Sequence, residues 1–259
     1  MPGWSNTTGG HRVCDDEIRE MLMGLIEGDG QFYGYRKLTY ALQQEADLII
    51  NKKKVYRLCR ELRILRPQRR LNPVAPRRLA RNHVVSGSNQ LWAMDIKYGD
   101  VPSEGFFYVL SIIDVFDRCI VGFHVGRECT AKDVVKTLGT ALKGRGVMGV
   151  PLILRSDNGP QFRSNLTGKQ CREWGLKREF IPFRTPNMNA HIEAFHSILE
   201  NECMGVTRFE TFGDAYRAIR QFIRFYNARR LHSGCGYRSP EAYYLANQSN
   251  SAIGKAIAV

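Results

Sequence analysis

Three acids in this sequence have the residue type and spacing to do chemistry: Asp95, Asp157 and Glu193. Asp95 interrupts a β-type run between Trp92 and Ile96. Asp157 sits in the turn Arg155-Ser-Asp-Asn-Gly159, where glycine lets the chain turn sharply and expose the carboxylate. Glu193 falls near the start of a helix-patterned stretch. Mg²⁺ and Mn²⁺ are hard ions that want such oxygen ligands. Two of them, about 3.5–4 Å apart, can clamp the attacking and leaving oxygens of an in-line phosphoryl displacement. On this reading Asp95 bridges two ions, while Asp157 and Glu193 each complete one shell. Taken singly, a loop aspartate is more often a turn or cap residue and a helical glutamate a solvated one, so the trio carries the argument. Asp114 and Asp117 are competitors on a neighbouring hairpin; Asp117 reads as a turn residue, and Asp114 lacks a comparable partner pattern.

The elements that must position the acids follow from periodicity. Gln90–Tyr98, Gly105–Val115 and Cys119–Val125 read as three antiparallel strands. Thr130-Ala-Lys-Asp133 is a capping box opening a helix to about Lys143. A short strand is expected at Pro151–Arg155, a helix at Phe162–Trp174 and a strand at Lys177–Ile181. Helices then follow at about Ala190–Cys203, Asp214–Tyr226 and Pro240–Ala246. This α/β order, with a mixed sheet, is that of ribonuclease H-like domains. It would bring strand ends and a helix start to one sheet face, the usual place for a site.

The N-terminal part is different. Asp15–Glu27 is an amphipathic helix, a second helix holds Leu38, Ala41 and Leu42, and Asn51 caps a third that runs to about Arg63. That outlines a small all-α, helix-turn-helix-like domain over residues 15–65. A basic, Pro-rich linker spans 66–86, and the core spans 87–246. Residues 1–14 and 247–259 read as a flexible N-terminus and tail. The net charge of +13 points to a polyanion, and it is concentrated: residues 51–82 hold 12 basic side chains and one acidic. Lys52, Lys53, Lys54, Arg57, Arg60 and Arg63 are the expected DNA-facing residues of the third helix, joined by Arg69 and Arg70 in the linker. No 18-residue apolar stretch or apolar leader is present, so the expectation is a cytoplasmic location and no membrane. Seven cysteines without a C-x-x-C suggest reduced, mostly buried thiols, not a disulfide framework or a four-thiolate zinc site.

Asp95 and Asp157 have 61 residues between them, and Asp157 and Glu193 have 35. This resembles the D,D-35-E signature of the retroviral-integrase superfamily. The surrounding words look more specifically like the downstream-frame transposases of bacterial insertion sequences. They are Trp92-Ala-Met-Asp-Ile-Lys-Tyr98, Ile113-Asp-Val-Phe-Asp-Arg118, Ser156-Asp-Asn-Gly159, Asn189-Ala-His-Ile-Glu193 and Phe225-Tyr-Asn227, with Tyr33-Gly-Tyr-Arg36 near the N-terminus. The resemblance covers about residues 15–245. It implies a magnesium-dependent ribonuclease H-like core that cuts a DNA strand with water and uses the freed 3′-hydroxyl to attack another phosphodiester. It also implies Asp95, Asp157 and Glu193 as metal ligands, DNA as partner, self-association on DNA, an upstream-frame partner protein, and association with the bacterial nucleoid.

Two positions depart from the relatives' pattern. Lys97 stands where many have Thr, on the same strand face as Asp95. Glu200 stands where relatives commonly have Lys or Arg, two helical turns or roughly 10 Å beyond Glu193. A carboxylate there would repel a DNA end: either other cations, such as Arg184, hold it, or DNA-end binding is weakened; Lys97 is itself a candidate DNA contact. The His-His-Cys-Cys zinc unit of retroviral integrases has no counterpart before residue 82, so no zinc is expected. His191 and His196 read as helix-surface or supporting residues. The competing readings are a DNA-binding regulator on a degenerate integrase fold and a metal nuclease that never joins strands.

Overall fold

A computed structural model describes residues 3–67, 83–182, 186–249 and 256–259. The chain divides into two units. The smaller begins at the N-terminus and takes in Arg229–Tyr237 from late in the chain; the larger runs to Ala228 and resumes at Arg238.

Trp4–Thr7 and Arg12–Cys14, in the segment expected to be flexible, are strands of the smaller unit. β1 (Trp4–Thr7) and β2 (Arg12–Cys14) form an antiparallel hairpin, and β3 (Leu48–Ile49) pairs with β1. The strands are too short for alternation to register in the sequence, yet Val13 points into the helical core. Cys14 then caps α1 (Asp15–Glu27): its thiol accepts from the Glu17 N–H while the Glu17 side chain accepts from the Cys14 N–H. α2 (Tyr35–Glu45) and α3 (Lys52–Glu61) follow, with the expected Asn51 cap accepting from Lys53 N and Lys54 N at 3.0 Å. The stripes Ile18/Leu22, Leu38/Ala41/Leu42 and Val55/Leu58/Cys59 meet in one core.

A further member of that core comes from 170 residues downstream of α3. Leu231, 8% exposed, is buried among these helices, and its backbone N–H donates to the hydroxyl of buried Tyr33 at 2.8 Å. The Tyr237 ring stacks on Tyr40 at 3.9 Å, and Arg229 pairs with Asp29. The catalytic core, expected over 87–246, therefore does not keep residues 229–237. The sequence carries no signal that a single apolar side chain so far downstream joins the core of the N-terminal helices.

The larger unit is a five-stranded sheet. β4 (Val84–Val85) precedes β5 (Leu91–Val101), β6 (Gly105–Asp114) and β7 (Ile120–Gly126). α4 (Ala131–Arg145), β8 (Leu152–Ser156), α5 (Pro160–Arg163), α6 (Asn165–Glu173) and β9 (Leu176–Phe180) come next. α7 (Ala190–Leu199), α8 (Phe212–Ala228), α9 (Pro240–Ser249) and β10 (Ile257–Ala258) complete it. The sheet order is β7-β6-β5-β8-β9, antiparallel through β7, β6 and β5 and parallel through β5, β8 and β9. This is the expected mixed sheet. Trp92, Met94, Leu110 and Ile112 on one face pack against Val134, Leu138 and Leu142 of α4 and Cys171 of α6.

Three details differ from expectation. The helix expected over Phe162–Trp174 breaks at Ser164, which leaves helical geometry to accept from Thr167 N. The helix begun at Ala190 widens into a π-type turn at Glu200–Met204. The tail is not all frayed: α9 extends to Ser249 and β10 pairs with β4, while 250–255 lie outside the described residues. Asn227, in the Phe-Tyr-Asn word, both donates to and accepts from the Ile120 backbone at 2.9 Å, tying α8 to the start of β7. All seven cysteines are free thiols, five of them buried. Among the described residues no helix is long and apolar enough to cross a membrane.

Leu231→Ala is expected to cost about 3 kcal/mol through the cavity it leaves. Hydrogen exchange should locate that loss in α1–α3 and spare β5–β9; unchanged protection of α1–α3 would contradict the shared core.

Candidate functional site

The parallel pairing of β5 with β8 brings two of the acids together. Met94 lies opposite Ser156, and the next residue along the chain after each is a candidate acid, Asp95 on β5 and Asp157 just past β8. Beyond this pair β8 ends, and Asp157 starts a turn in which its Oδ1 accepts from Gly159 N at 2.9 Å. Asp95 Oδ1 accepts from Ile96 N at 2.8 Å. Both residues line one cavity of about 420 Å³, with Tyr98, Tyr108, Glu128, Thr130 and Gln161 among the other walls. Asn158, between Asp157 and Gly159, donates to Ile181 O and so anchors the turn just past β9.

Glu193 sits exposed in the first turn of α7 and does not line that cavity. Its helix nevertheless reaches Asp95 through His196, one turn further on. His196 Nδ1 is 3.6 Å from Asp95 Oδ2, and its buried Nε2 has no hydrogen-bond partner. The surface reading of His196 is therefore corrected: the residue is buried, because its ring packs beside Phe195 and against β5's acid. Among the described residues no three His, Cys, Asp or Glu side chains stand close enough to hold an ion between them.

Sequence reasoning missed Arg155. It is 1% exposed, donates from Nε to Glu179 on β9 at 2.8 Å, and from Nη1 to Met188 O, just before α7, at 2.8 Å. Glu179 also faces His83 Nε2 at 3.1 Å. Burial alone would raise the Glu179 pKa; Arg155, followed by His83, outweighs it and holds the carboxylate below its usual range. The available signal was an arginine inside the otherwise apolar strand Leu152-Ile-Leu-Arg-Ser156. Asp114 and Asp117, the competitors, are both buried. Asp114 accepts from Asn89 N, Trp92 Nε1 and Phe116 N, and Asp117 pairs with Arg145. Burial, then the charge of Asp117, pushes Asp114 up to about 7.

The expected DNA-facing cations separate into groups. Lys54 and Arg57 are engaged within the fold: both pair with the buried Asp15, at 2.6 and 2.5 Å, and Arg57 also pairs with Glu61. A buried carboxylate draws cations because its charge is costly without them. Burial would raise Asp15, but Lys54 and Arg57 overrule it and lower the pKa. Lys52, Lys53, Arg60 and Arg63 are exposed. Lys97 pairs with Glu200 at 2.9 Å, so the two departures from the relatives' pattern meet each other. Arg69, Arg70 and Arg184 lie outside the described residues.

The family described as Integrase core domain matches residues 85–186, and a second family of that description matches 174–240. An HTH-like domain family matches 14–71. A 31 kDa protein of insertion element IS600 from Shigella sonnei is 32% identical over 82% of this chain and 80% of its own length. A 39.2 kDa protein of insertion element IS476 from Xanthomonas euvesicatoria is 31% identical over 85% of this chain, which spans 64% of that protein's length. The transposase InsD of insertion element IS2D from Escherichia coli is 26% identical over 92% of this chain. Among solved structures, a chain of the simian T-cell lymphotropic virus intasome superposes with a TM-score of 0.53 at 15% identity, covering 88% of this chain and 74% of that one. The shared feature is the ribonuclease H-like fold.

Glu200→Gln should release Lys97 and remove one negative charge beside the candidate acids. Affinity for duplex DNA is expected to rise about two- to fivefold at low salt, the scale of one partly exposed ion pair, and the gain should shrink as salt is added. Weaker binding in the same titration would mean that the pair holds Lys97 where DNA needs it.

Proposed function

Because the chain belongs to the integrase-core family of insertion-element transposases, we propose that it cuts DNA at the ends of such an element and joins the freed 3′-hydroxyl to a second DNA. The observation that carries this reading is the placement of Asp95 and Asp157 side by side where β5 and β8 part, on the wall of one cavity. The joining step exchanges one phosphodiester for another, so it needs no outside energy source.

Asp95, Asp157 and Glu193 are the residues we assign to the chemistry. Their donor set is entirely carboxylate oxygen, which fits hard divalent ions of the magnesium class, two in the active complex. Such ions would offset the repulsion between phosphate and carboxylates and polarise the phosphoryl oxygens. The chain's own part is to hold the donors still. Ile96 N fixes one oxygen of Asp95, Gly159 N one oxygen of Asp157, and His196 faces the other oxygen of Asp95. Arg155 ties β8 to the backbone leading into α7, the helix that carries Glu193. Lys52, Lys53 and Arg60 on α3, with Arg63 just past its end, are the exposed cations that we assign to the DNA backbone. Relatives named as transposases favour this reading over a regulator.

The test is joining of a labelled duplex, carrying the terminal sequence that flanks the gene, to a second DNA in Mg²⁺ or Mn²⁺. Asp157→Asn is expected to lower joining by roughly a thousandfold or more while DNA affinity stays close to that of the unsubstituted protein. Joining that survives the substitution would remove the site assignment. Cutting without joining would favour a nuclease.

A further inference from the structure

We propose that the cavity beside Asp95 and Asp157 is a nucleobase site, taking one unstacked base of the DNA strand against Tyr98 and Tyr108. The proposal rests on the phosphoryl-transfer reading above for which strand lies there.

Tyr98 and Tyr108 are directly opposite each other on β5 and β6, and their rings meet edge to face at 5.1 Å. Phe106 follows on the same face, opposite Asp100. That face begins as core, with Trp92, Met94, Leu110 and Ile112 fully buried. Further out it continues as aromatic surface: Tyr98 is 63% exposed and Phe106 69%. Tyr98 presents such an exposed ring at the wall of this cavity, and a planar π-system is the shape that covers a ring.

Charge separates the place of the phosphate from that of the base. The cavity wall includes the carboxylates of Asp95, Glu128 and Asp157, and among the described residues lining it there is no Lys or Arg. Ions held by Asp95 and Asp157 would draw a phosphate to the acids, and a neutral base beside it on Tyr98 and Tyr108 needs no cation of its own. Gln161 and Thr130, on the same wall, offer donors and acceptors to a base edge. At about 420 Å³ the cavity is within the range of small-ligand sites. Stacking on aromatic side chains tolerates any base, because every base has a π-face. Unstacking is cheapest for a base already unpaired, so the site favours a frayed or cut end over intact duplex.

The test uses the full-length protein and a duplex with an unpaired 3′ tail bearing a fluorescent adenine analogue, compared with the same duplex whose tail is abasic. Stacking should quench the fluorophore. Tyr98→Ala should abolish the quench and weaken binding of the base-bearing duplex by roughly five- to a hundredfold. Tyr98→Phe should keep both, and all three proteins should bind the abasic duplex alike. Tyr98 is mostly exposed, so the variants should keep the parent melting temperature. No quench in the unsubstituted protein, a quench that survives Tyr98→Ala, equal losses for Phe and Ala, or the same loss on the abasic duplex would each overturn the base site. A Tyr98-dependent quench in a protein that neither cuts nor joins DNA would support the base site and overturn the catalytic reading alone.

Discussion

The buried guanidinium of Arg155 sits between three parts of the larger unit. It donates to Glu179 on β9 and to the carbonyl of Met188 before α7, and it belongs to the strand that delivers Asp157. A charge held at 1% exposure must be paired, and breaking such a pair typically costs about 3–5 kcal/mol because one charge is left stranded. The strand carrying one candidate acid and the lead-in to the helix carrying another are therefore not free to drift apart. His83, against the same Glu179, extends the constraint to the end of the segment expected as linker. The register of β5 on β8 supplies the second acid, since Asp95 and Asp157 each follow the last paired residue.

This arrangement explains why some of the fold could be read from the sequence and some could not. β5, β6 and β7 have long alternating or apolar runs, and Asn51 and Thr130 mark helix starts with local capping chemistry, so periodicity and caps were enough. β1, β2 and β10 are four residues or fewer, too short for alternation to stand out, and β1 and β10 also pair with strands far along the chain. Leu231 is a longer-range case of the same limit. Asp95 and Asp157 were legible because an acid inside a strand and an Asp-Asn-Gly turn are local anomalies. Arg155 was legible in the same sense but was passed over, since its partners Glu179 and Met188 are more than 20 residues away.

The cations show the same division. Counting charge along α3 treated every Lys and Arg as available to DNA. Asp15, 39 and 42 residues upstream, claims Lys54 and Arg57, and leaves Lys52, Lys53 and Arg60 exposed on the helix and Arg63 exposed just past it. Glu200 likewise changes meaning once its partner is seen. As a lone carboxylate near the acids it would oppose DNA; paired with Lys97 at 2.9 Å it neutralises the one cation on the strand face of Asp95. The net positive charge thus draws DNA broadly, while the cavity itself stays acidic and aromatic.

The central claim is that Asp95, Asp157 and Glu193 together bind divalent metal, although Glu193 stands apart from the cavity wall that the two aspartates share. Calorimetric titration of Mn²⁺ into the full-length protein without DNA tests it most directly. The account predicts metal uptake that Asp157→Asn and Glu193→Gln each weaken by about tenfold or more, in line with the cost of removing one carboxylate from such a shell, while Asp214→Asn on the surface of α8 leaves it unchanged. Uptake that neither substitution alters would contradict it.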